Sequence, residues 1–523
     1  MASSNTTSTV NKADTDEIVA TTTQIPGPPP DAYSLEDLQQ RAQWLIQNHA
    51  SFGKVAMAIA GGGGHALSTL AATSGASQLL LEGTVTYDRA SFQRYVNKTQ
   101  QSIPSSGFSY SSLDAARMAS QSALLQGMQL RATSGTLAAI RDTVGVGSAS
   151  TLKTTTAGGM SKSGRPSRGN VVATRANGTQ TCMQYTLNCG PTQNTRFQQD
   201  VLCSHMILQT METLAEKETQ PNADSTTTDD ATTVVDPETF EGITIRQWMA
   251  TTNTNNNTEQ QHQIIQKAAN RILSGHEKAV LLLPKLHTAN SDDDVFLEPL
   301  VYPVLPDNCL IMPGSFNPPH PGHVGLARAA IAKMSTGDES SSSVPLVFEL
   351  SITNADKPAM EADEVARRVS LFRDVMPDGQ QWGILLTSAP LFSDKIRALQ
   401  QYYTPTDASN KWSFVIGTDT MVRVLNSKYY NDSYEQMLQA QRSMGAGFVV
   451  GGRLNQDKQK QQQQTNIEQV EFVTGEEALV GLPEDVQELF VLLKESDFRA
   501  DISSSEIRAA EAAKAQANGQ ETS

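Results

Sequence analysis

Cysteine is scarce: Cys182, Cys189, Cys203 and Cys309 are the four in 523 residues, and no two are spaced as C-x-x-C. That excludes a disulfide scaffold and gives no zinc signature, so a reducing compartment and packing roles for the thiols are expected. No apolar run approaches the roughly 18 residues of a membrane-spanning helix, and the first residues hold no apolar signal core, so no membrane association is expected. A basic surplus is missing as well. Lys and Arg number 40 against 55 Asp and Glu, for a formal charge of −15, which speaks against nucleic acid as a partner and leaves anionic ligands to local cations. Residues 1–33 are rich in Ser, Thr, Asn and Pro and contain no arginine. They read as a disordered tail rather than a transit peptide, which places the chain in the cytoplasm and/or nucleus. Glycosylation-type triplets at Asn97, Asn177, Asn256 and Asn431 would matter only in the secretory pathway.

Length allows about three domain-sized units at most. Two polar tracts punctuate the chain, a Thr/Asp/Asn-rich stretch from about 217 to 260 and a Gln-rich one at 457–466. Both read as flexible insertions, the first interrupted by a candidate docking segment from Ile243 to Met249. The expected organisation is a tail (1–33), an α/β domain (34–215), a linker (216–262), a connecting helix and strand (263–304), a second α/β domain (305–512) and a final tail (513–523).

The most informative segment is Gly314 to His323, G-S-F-N-P-P-H-P-G-H. It follows the apolar run Cys309 to Met312 and precedes Val324, Ala327, Ile331 and Met334 at helical spacing, so it reads as strand, loop, helix. A helix N-terminus with nearby glycines offers free backbone N–H groups to a phosphate. Imidazoles at His320 and His323 would donate to phosphate oxygens as negative charge builds, with no covalent intermediate. An isolated H-x-G-H is as readily a Pro/Gly turn that happens to carry histidines. Far downstream, Ser503 and Glu506 have the spacing of a capping box. That puts Ser504, Ser505 and Arg508 on the first turns of a second helix, where hydroxyls, amides and a guanidinium can converge on a triphosphate.

With these two motifs, and with Phe414 to Thr420 reading F-V-I-G-T-D-T between them, the chain resembles the nucleotidyltransferase superfamily marked by H-x-G-H and I-S-S-T-x-I-R. Within it, the chain is most similar to the nicotinamide mononucleotide adenylyltransferases. The first motif matches at every fixed position, and the second has Ser505 where threonine is usual. The resemblance, over residues 305–512, implies a Rossmann-like domain with a parallel sheet that transfers AMP from ATP, accompanied by Mg2+, to nicotinamide mononucleotide or its acid analogue, the alternatives being transfer of CMP or AMP to another phosphorylated acceptor and an ATP-binding regulator. It implies catalytic roles for His320, His323 and Arg508, and nucleotide binding by Gly314, Ser315, Phe316, Gly417, Asp419, Ser504 and Ser505. Lys357 and Arg453 are implied at a substrate phosphate, and Arg367-Arg368 match the arginine that ends a helical motif in that family.

The N-terminal region starts with a helix at 35–48, capped by Ser34, and a strand from Val55 to Ala60 that enters four glycines, Gly61 to Gly64. Strand, glycine turn and helix predict an α/β layer fold, with the turn serving either as a phosphate cradle or simply as a tight turn. Gly75 to Tyr87 and Ser112 to Met118 resemble the competence-damage-inducible (CinA) C-terminal domain, a nicotinamide mononucleotide amidohydrolase family. Its serine nucleophile is replaced here by Ala60 and its lysine by Phe92, while Tyr87 is kept. The resemblance implies a degenerate, non-catalytic domain that either still senses or delivers the mononucleotide or serves homo-oligomerisation; Leu113, Ala116, Met118 and Ala119 fit a packed helix, and His65, Ser68 and Thr69 either substitute for the lost catalytic groups or cap and face the helix after the turn.

Overall fold

The structure is a computed structural model that describes residues 34–99, 101–104, 106–152, 167–187, 195–216, 233–234, 238–240, 243–250, 258–285, 296–335, 344–353, 358–372, 381–405, 411–454 and 472–499. Two compact units emerge, one of Met1–Leu130 with Arg141–Thr254 and one of Arg131–Ile140 with Asn255–Ser523. Lys357, Ser503, Ser504, Ser505, Glu506 and Arg508, both expected tails and the Gln-rich tract lie outside the described residues.

The first unit is a mixed sheet. Its strands are β1 (Lys54–Ala60), β2 (Leu80–Val85), β3 (Thr143–Thr151), β4 (Arg168–Arg175), β5 (Gln180–Leu187), β6 (Thr233–Val234), β7 (Glu238–Phe240) and β8 (Ile243–Ala250), in the order β2-β1-β3-β4-β5-β8-β6 with β7 also on β8. β1 runs parallel to β2 and β3, and the remaining pairs are antiparallel. The apolar run of β1 follows from burial on both faces. Val55, Met57 and Ile59 pack with Leu202, Met206 and Ile207, while Ala56, Ala58 and Ala60 pack with Phe92, Ala116 and Ala119. The alanine stripe lets the helix Leu113–Ala132 lie close on β3, where a Cβ on Gly147 would fall 2.2 Å from the Ala116 carbonyl oxygen. Ser34 caps the helix Leu35–Gln47, its hydroxyl accepting from the Asp37 N–H at 3.1 Å.

Within the expected linker 216–262, the candidate docking segment Ile243 to Met249 is a strand of the sheet. The segment rich in β-branched residues at Ile243, Thr244 and Ile245 is a full strand paired with β5, because such residues favour a pleated surface and the edge of β5 offers unpaired backbone groups.

The second unit has β9 (Ala279–Pro284), β10 (Leu297–Pro299), β11 (Leu310–Pro313), β12 (Leu346–Ser351), β13 (Trp382–Thr387), β14 (Ser413–Gly417), β15 (Gly447–Gly451) and β18 (Phe490–Leu492), with a separate pair β16 (Arg453–Leu454) and β17 (Phe472–Val473). Six neighbours, β13-β12-β11-β14-β15-β18, are parallel, and β9 and β10 extend the sheet antiparallel beyond β13. Numbered within the parallel set, the order is 3-2-1-4-5-6. That is the doubly wound arrangement, in which ligands bind beyond the carboxyl ends of the strands where the order reverses. Here the reversal lies between β11 and β14. The helix Thr258–Leu273 and β9, expected as a connector, belong to this unit. Ala279 to Leu283 are all buried, and an apolar run buried on both faces is stable only inside a sheet.

Candidate functional site

Strand β11 ends at Pro313, and residues 314–320 lead into the helix Pro321–Met334. The chain leaves the sheet at the topological switch point, pinned there by the Gly314 N–H, which donates to the Glu349 carbonyl at 3.0 Å. Glycine at 314 is a spatial requirement. A Cβ there would meet the Phe316 ring at 2.6 Å. Phe316 is wholly buried, with φ at +42°, a left-handed conformation that costs a non-glycine residue energy. Its ring holds that conformation by packing edge-on against His323, Phe348 and Phe372, at centroid distances of 5.1, 5.5 and 5.0 Å.

His320 caps the motif helix in an extended conformation, with Pro321 as the first helical residue, where the missing N–H costs nothing. The His320 N–H donates to Nδ1 of His323 at 3.2 Å. An accepting Nδ1 carries no proton, so neutral His323 bears its hydrogen on Nε2 and can donate from there. The two rings lie 3.7 Å apart, centroid to centroid, at 33°. Burial, followed by the adjacent His320, pushes His323 down to about 3, and burial lowers His320 as well. The pair is therefore neutral near pH 7. Nδ1 of His320 is buried without a hydrogen-bond partner. Two adjacent, uncharged imidazoles at a helix N-terminus can donate hydrogen bonds to a growing negative charge, but cannot form a nucleophile–base pair with each other.

Gly417 ends β14 on the other side of the switch, as the N-cap of the helix Thr418–Val424, and a Cβ there would find open space. Asp419 lies exposed in that helix's first turn. The structure thus brings Gly314, Ser315, Phe316, His320, His323, Gly417 and Asp419 to the same carboxyl edge of the sheet. Arg453 is in β16, paired with Val473. A cleft of about 670 Å³ between the helices Thr258–Leu273 and Ala362–Ser370, lined by His262, Gln266 and Asp363 among others, includes none of the motif residues.

Residues 311–510 match the family model described as cytidylyltransferase-like. The chain carries a cytidylyltransferase-like domain. It is also similar to the "Putative nicotinamide mononucleotide adenylyltransferase" of Schizosaccharomyces pombe, 30% identical over 131 residues that cover 25% of this chain and 47% of that protein. The chain therefore spans about half the length of the curated relative it matches. Among solved structures it is similar to the competence/damage-inducible protein CihA of Agrobacterium tumefaciens, at 17% identity over 37% of this chain and 99% of that one, with a TM-score of 0.25. A CinA superfamily protein of Escherichia coli follows, at 15% identity over 38% and 96%, with a TM-score of 0.25. At that level of overlap, what the N-terminal unit does is a question for its own residues.

Those residues close the glycine turn from within. The Gly62 N–H donates to Ser150 Oγ at 2.6 Å and the Gly63 N–H to Asp200 Oδ1 at 2.8 Å, while His65 Nδ1 lies 2.5 Å from Asp200 Oδ2. Two of the turn's four amides are thus turned to the chain's own hydroxyl and carboxylate, which favours the tight turn over the cradle. Phe92 is a core residue, with its ring against Phe108 and Tyr110. Exposed Tyr87 accepts from Arg196 at 2.6 Å.

In the cytidylyltransferase-like domain, sequence reasoning missed Glu364 as a partner of Arg367 and Arg368. It also missed a buried network in which Lys395 donates to Glu349 at 2.7 Å, Ser351 at 2.7 Å and the Ala389 carbonyl at 2.8 Å. Lysine and glutamate are seldom buried unless paired, but the pair is 46 positions apart, so local spacing held no sign of it.

Proposed function

We propose that the cytidylyltransferase-like domain transfers AMP from ATP to nicotinamide mononucleotide, or to its acid analogue, releasing pyrophosphate and a dinucleotide. The supporting observation is the neutral His320–His323 pair at the N-terminus of the motif helix, placed by β11 at the switch point of the sheet. In this reading the acceptor phosphate attacks the α-phosphorus in line. The Nε2–H of His323 and the ring of His320 stabilise the charge that develops there, and the ends of β11 and β14, with Gly417 and Asp419, hold the nucleotide. Ser504, Ser505 and Arg508 take the outer phosphates, and Lys357 and Arg453 the acceptor's, in the roles the resemblance implies. Magnesium travels with the triphosphate, whose own oxygens and water supply most of its ligands. Among the described residues no three His, Cys, Asp or Glu side chains are grouped to hold a metal ion. No helix among the described residues is long and apolar enough to cross a membrane.

The test is purified protein with magnesium and ATP or CTP, given nicotinamide mononucleotide, its acid form or no acceptor, with pyrophosphate and dinucleotide followed together. Dinucleotide from ATP, reduced about a hundredfold or more by His323→Ala, supports the reading. Turnover by His323→Ala within a few-fold of wild type sinks it. Acceptor-independent ATP binding without pyrophosphate would favour a regulatory role instead.

A further inference from the structure

The helix Ala362–Ser370 presents Glu364, Arg367 and Arg368 to the motif loop. Glu364 accepts from Arg367 Nε at 2.7 Å and Nη2 at 2.9 Å, and from Arg368 Nε at 2.7 Å. Pairs at i,i+3 and i,i+4 on a half-exposed helix ordinarily contribute little and need no function. These two guanidinium groups, however, reach beyond their own helix. Arg368 Nη1 donates to the Ser315 carbonyl at 2.9 Å, and Arg367 Nη2 donates to Asn317 Oδ1 at 2.6 Å. Ser315 and Asn317 are the two neighbours of Phe316, the residue held at φ +42° with its ring against His323.

We propose that Glu364, Arg367 and Arg368 are positioning residues: a carboxylate aims two guanidinium groups that grip the loop on both sides of Phe316, and so set the placement of His323. The inference deepens the reading of this site as a phosphoryl-transfer centre and rests on it for its catalytic consequence. A guanidinium is a planar fork whose direction is fixed once one edge is bound, which suits it to holding a loop in register. Glu364 can serve both arginines because its two oxygens offer about four acceptor sites. A left-handed backbone at a bulky residue persists only where its surroundings over-determine it. Here the buried ring supplies one constraint and the two grips supply the others. Misplacement of a charge-stabilising donor by about 1 Å can cost on the order of a hundredfold in rate, although the displaced group touches nothing new.

Glu364→Gln keeps size and helix propensity while weakening both grips. The full-length wild type, Glu364→Gln, His323→Ala and the double variant would be compared in two assays. These are amide hydrogen exchange of peptides covering 313–324, and pyrophosphate release from ATP with nicotinamide mononucleotide as acceptor. The expected result for Glu364→Gln is exchange across the loop faster by about tenfold with the sheet unchanged, and kcat lower by about tenfold or more with KM for ATP within about threefold. In the His323→Ala background the same substitution should cost less than about threefold, because it acts through a group already removed. Unchanged loop exchange overturns the proposal, as do losses that multiply independently in the double variant. A wild type inactive with every nucleotide and acceptor would instead overturn the functional reading, while the exchange data still decide whether the grip exists.

Discussion

Acid should weaken the cytidylyltransferase-like domain through His323. An unfolded histidine titrates near 6.5, whereas burial and the neighbouring imidazole push His323 in the folded domain down to about 3. A folded-state value below the unfolded one means that the unfolded chain binds the proton first. The stability is therefore fully present above about pH 6.5 and is lost progressively as pH falls toward 3. At pH 5 the unfolded imidazole is about 1.5 pH units below its titration point and the folded one is still neutral, so the cost is about 2 kcal/mol at 1.36 kcal/mol per unit. His320, also lowered by burial, adds with the same sign. Glu364, held down to about 2 by Arg367 and Arg368, loses its contribution only below the ordinary carboxylate range and leaves pH 5 clean. The assay is urea unfolding of full-length wild type and His323→Gln at pH 7.5 and 5, following the transition of the C-terminal unit. Loss of ring packing in His323→Gln is a constant offset, so the comparison is between pH-dependent changes. Wild type should lose about 2 kcal/mol more than the variant between the two pH values. Equal losses, within about 0.5 kcal/mol, would show that His323 is not held neutral by the fold.

Gly314→Ala should destabilise the domain by about 1–3 kcal/mol and depress turnover, since its methyl would meet the buried Phe316 ring at 2.6 Å and that ring has nowhere to retreat; thermal unfolding with a steady-state assay reads both. Lys395→Met should cost about 3–5 kcal/mol by leaving the buried Glu349 carboxylate without its cation, while adding Glu349→Leu should restore most of the loss, because a removed buried pair is far cheaper than a broken one. A double-mutant cycle by urea unfolding checks this.

The strand, loop and helix around His320 were legible because every cue there is local: an apolar run of strand length, Pro and Gly in the turn, and apolar residues at helical spacing. Gly314 was legible as a glycine, but its reason was not, since the atom that excludes a Cβ belongs to the Phe316 ring folded back over it. Long-range pairing was the blind spot. β9 was expected as a strand and Ile243 to Met249 as a docking segment, but composition marked their surroundings as connector and linker, and only an available sheet edge gives such runs their places in a sheet. The glycine turn after β1 shows the same limit. Its sequence is compatible with a ligand cradle, yet Asp200, 137 residues beyond Gly63, supplies the anion itself. Glu364 is likewise an unremarkable first-turn acid until Ser315 and Asn317 are seen within reach of the arginines it holds.

The neutrality of the histidine pair also bears on how a chain of charge −15 would handle a polyphosphate. A charged imidazolium would bind the ground-state phosphates strongly. An uncharged N–H donor gains most as negative charge grows on the α-phosphoryl group, and only interactions stronger in the transition state than before it accelerate the reaction. Because kcat/KM reports groups titrating in the free enzyme, a His323 pushed down to about 3 contributes no limb near pH 6.5. The profile for pyrophosphate release should show the same shape between pH 6 and 8 in wild type and in His323→Gln, with any shared curvature arising from the substrates' own phosphates. A limb near 6.5 present in wild type and absent from the variant would mean that the free site carries a charged imidazole, and with it the argument for neutral donors would fall.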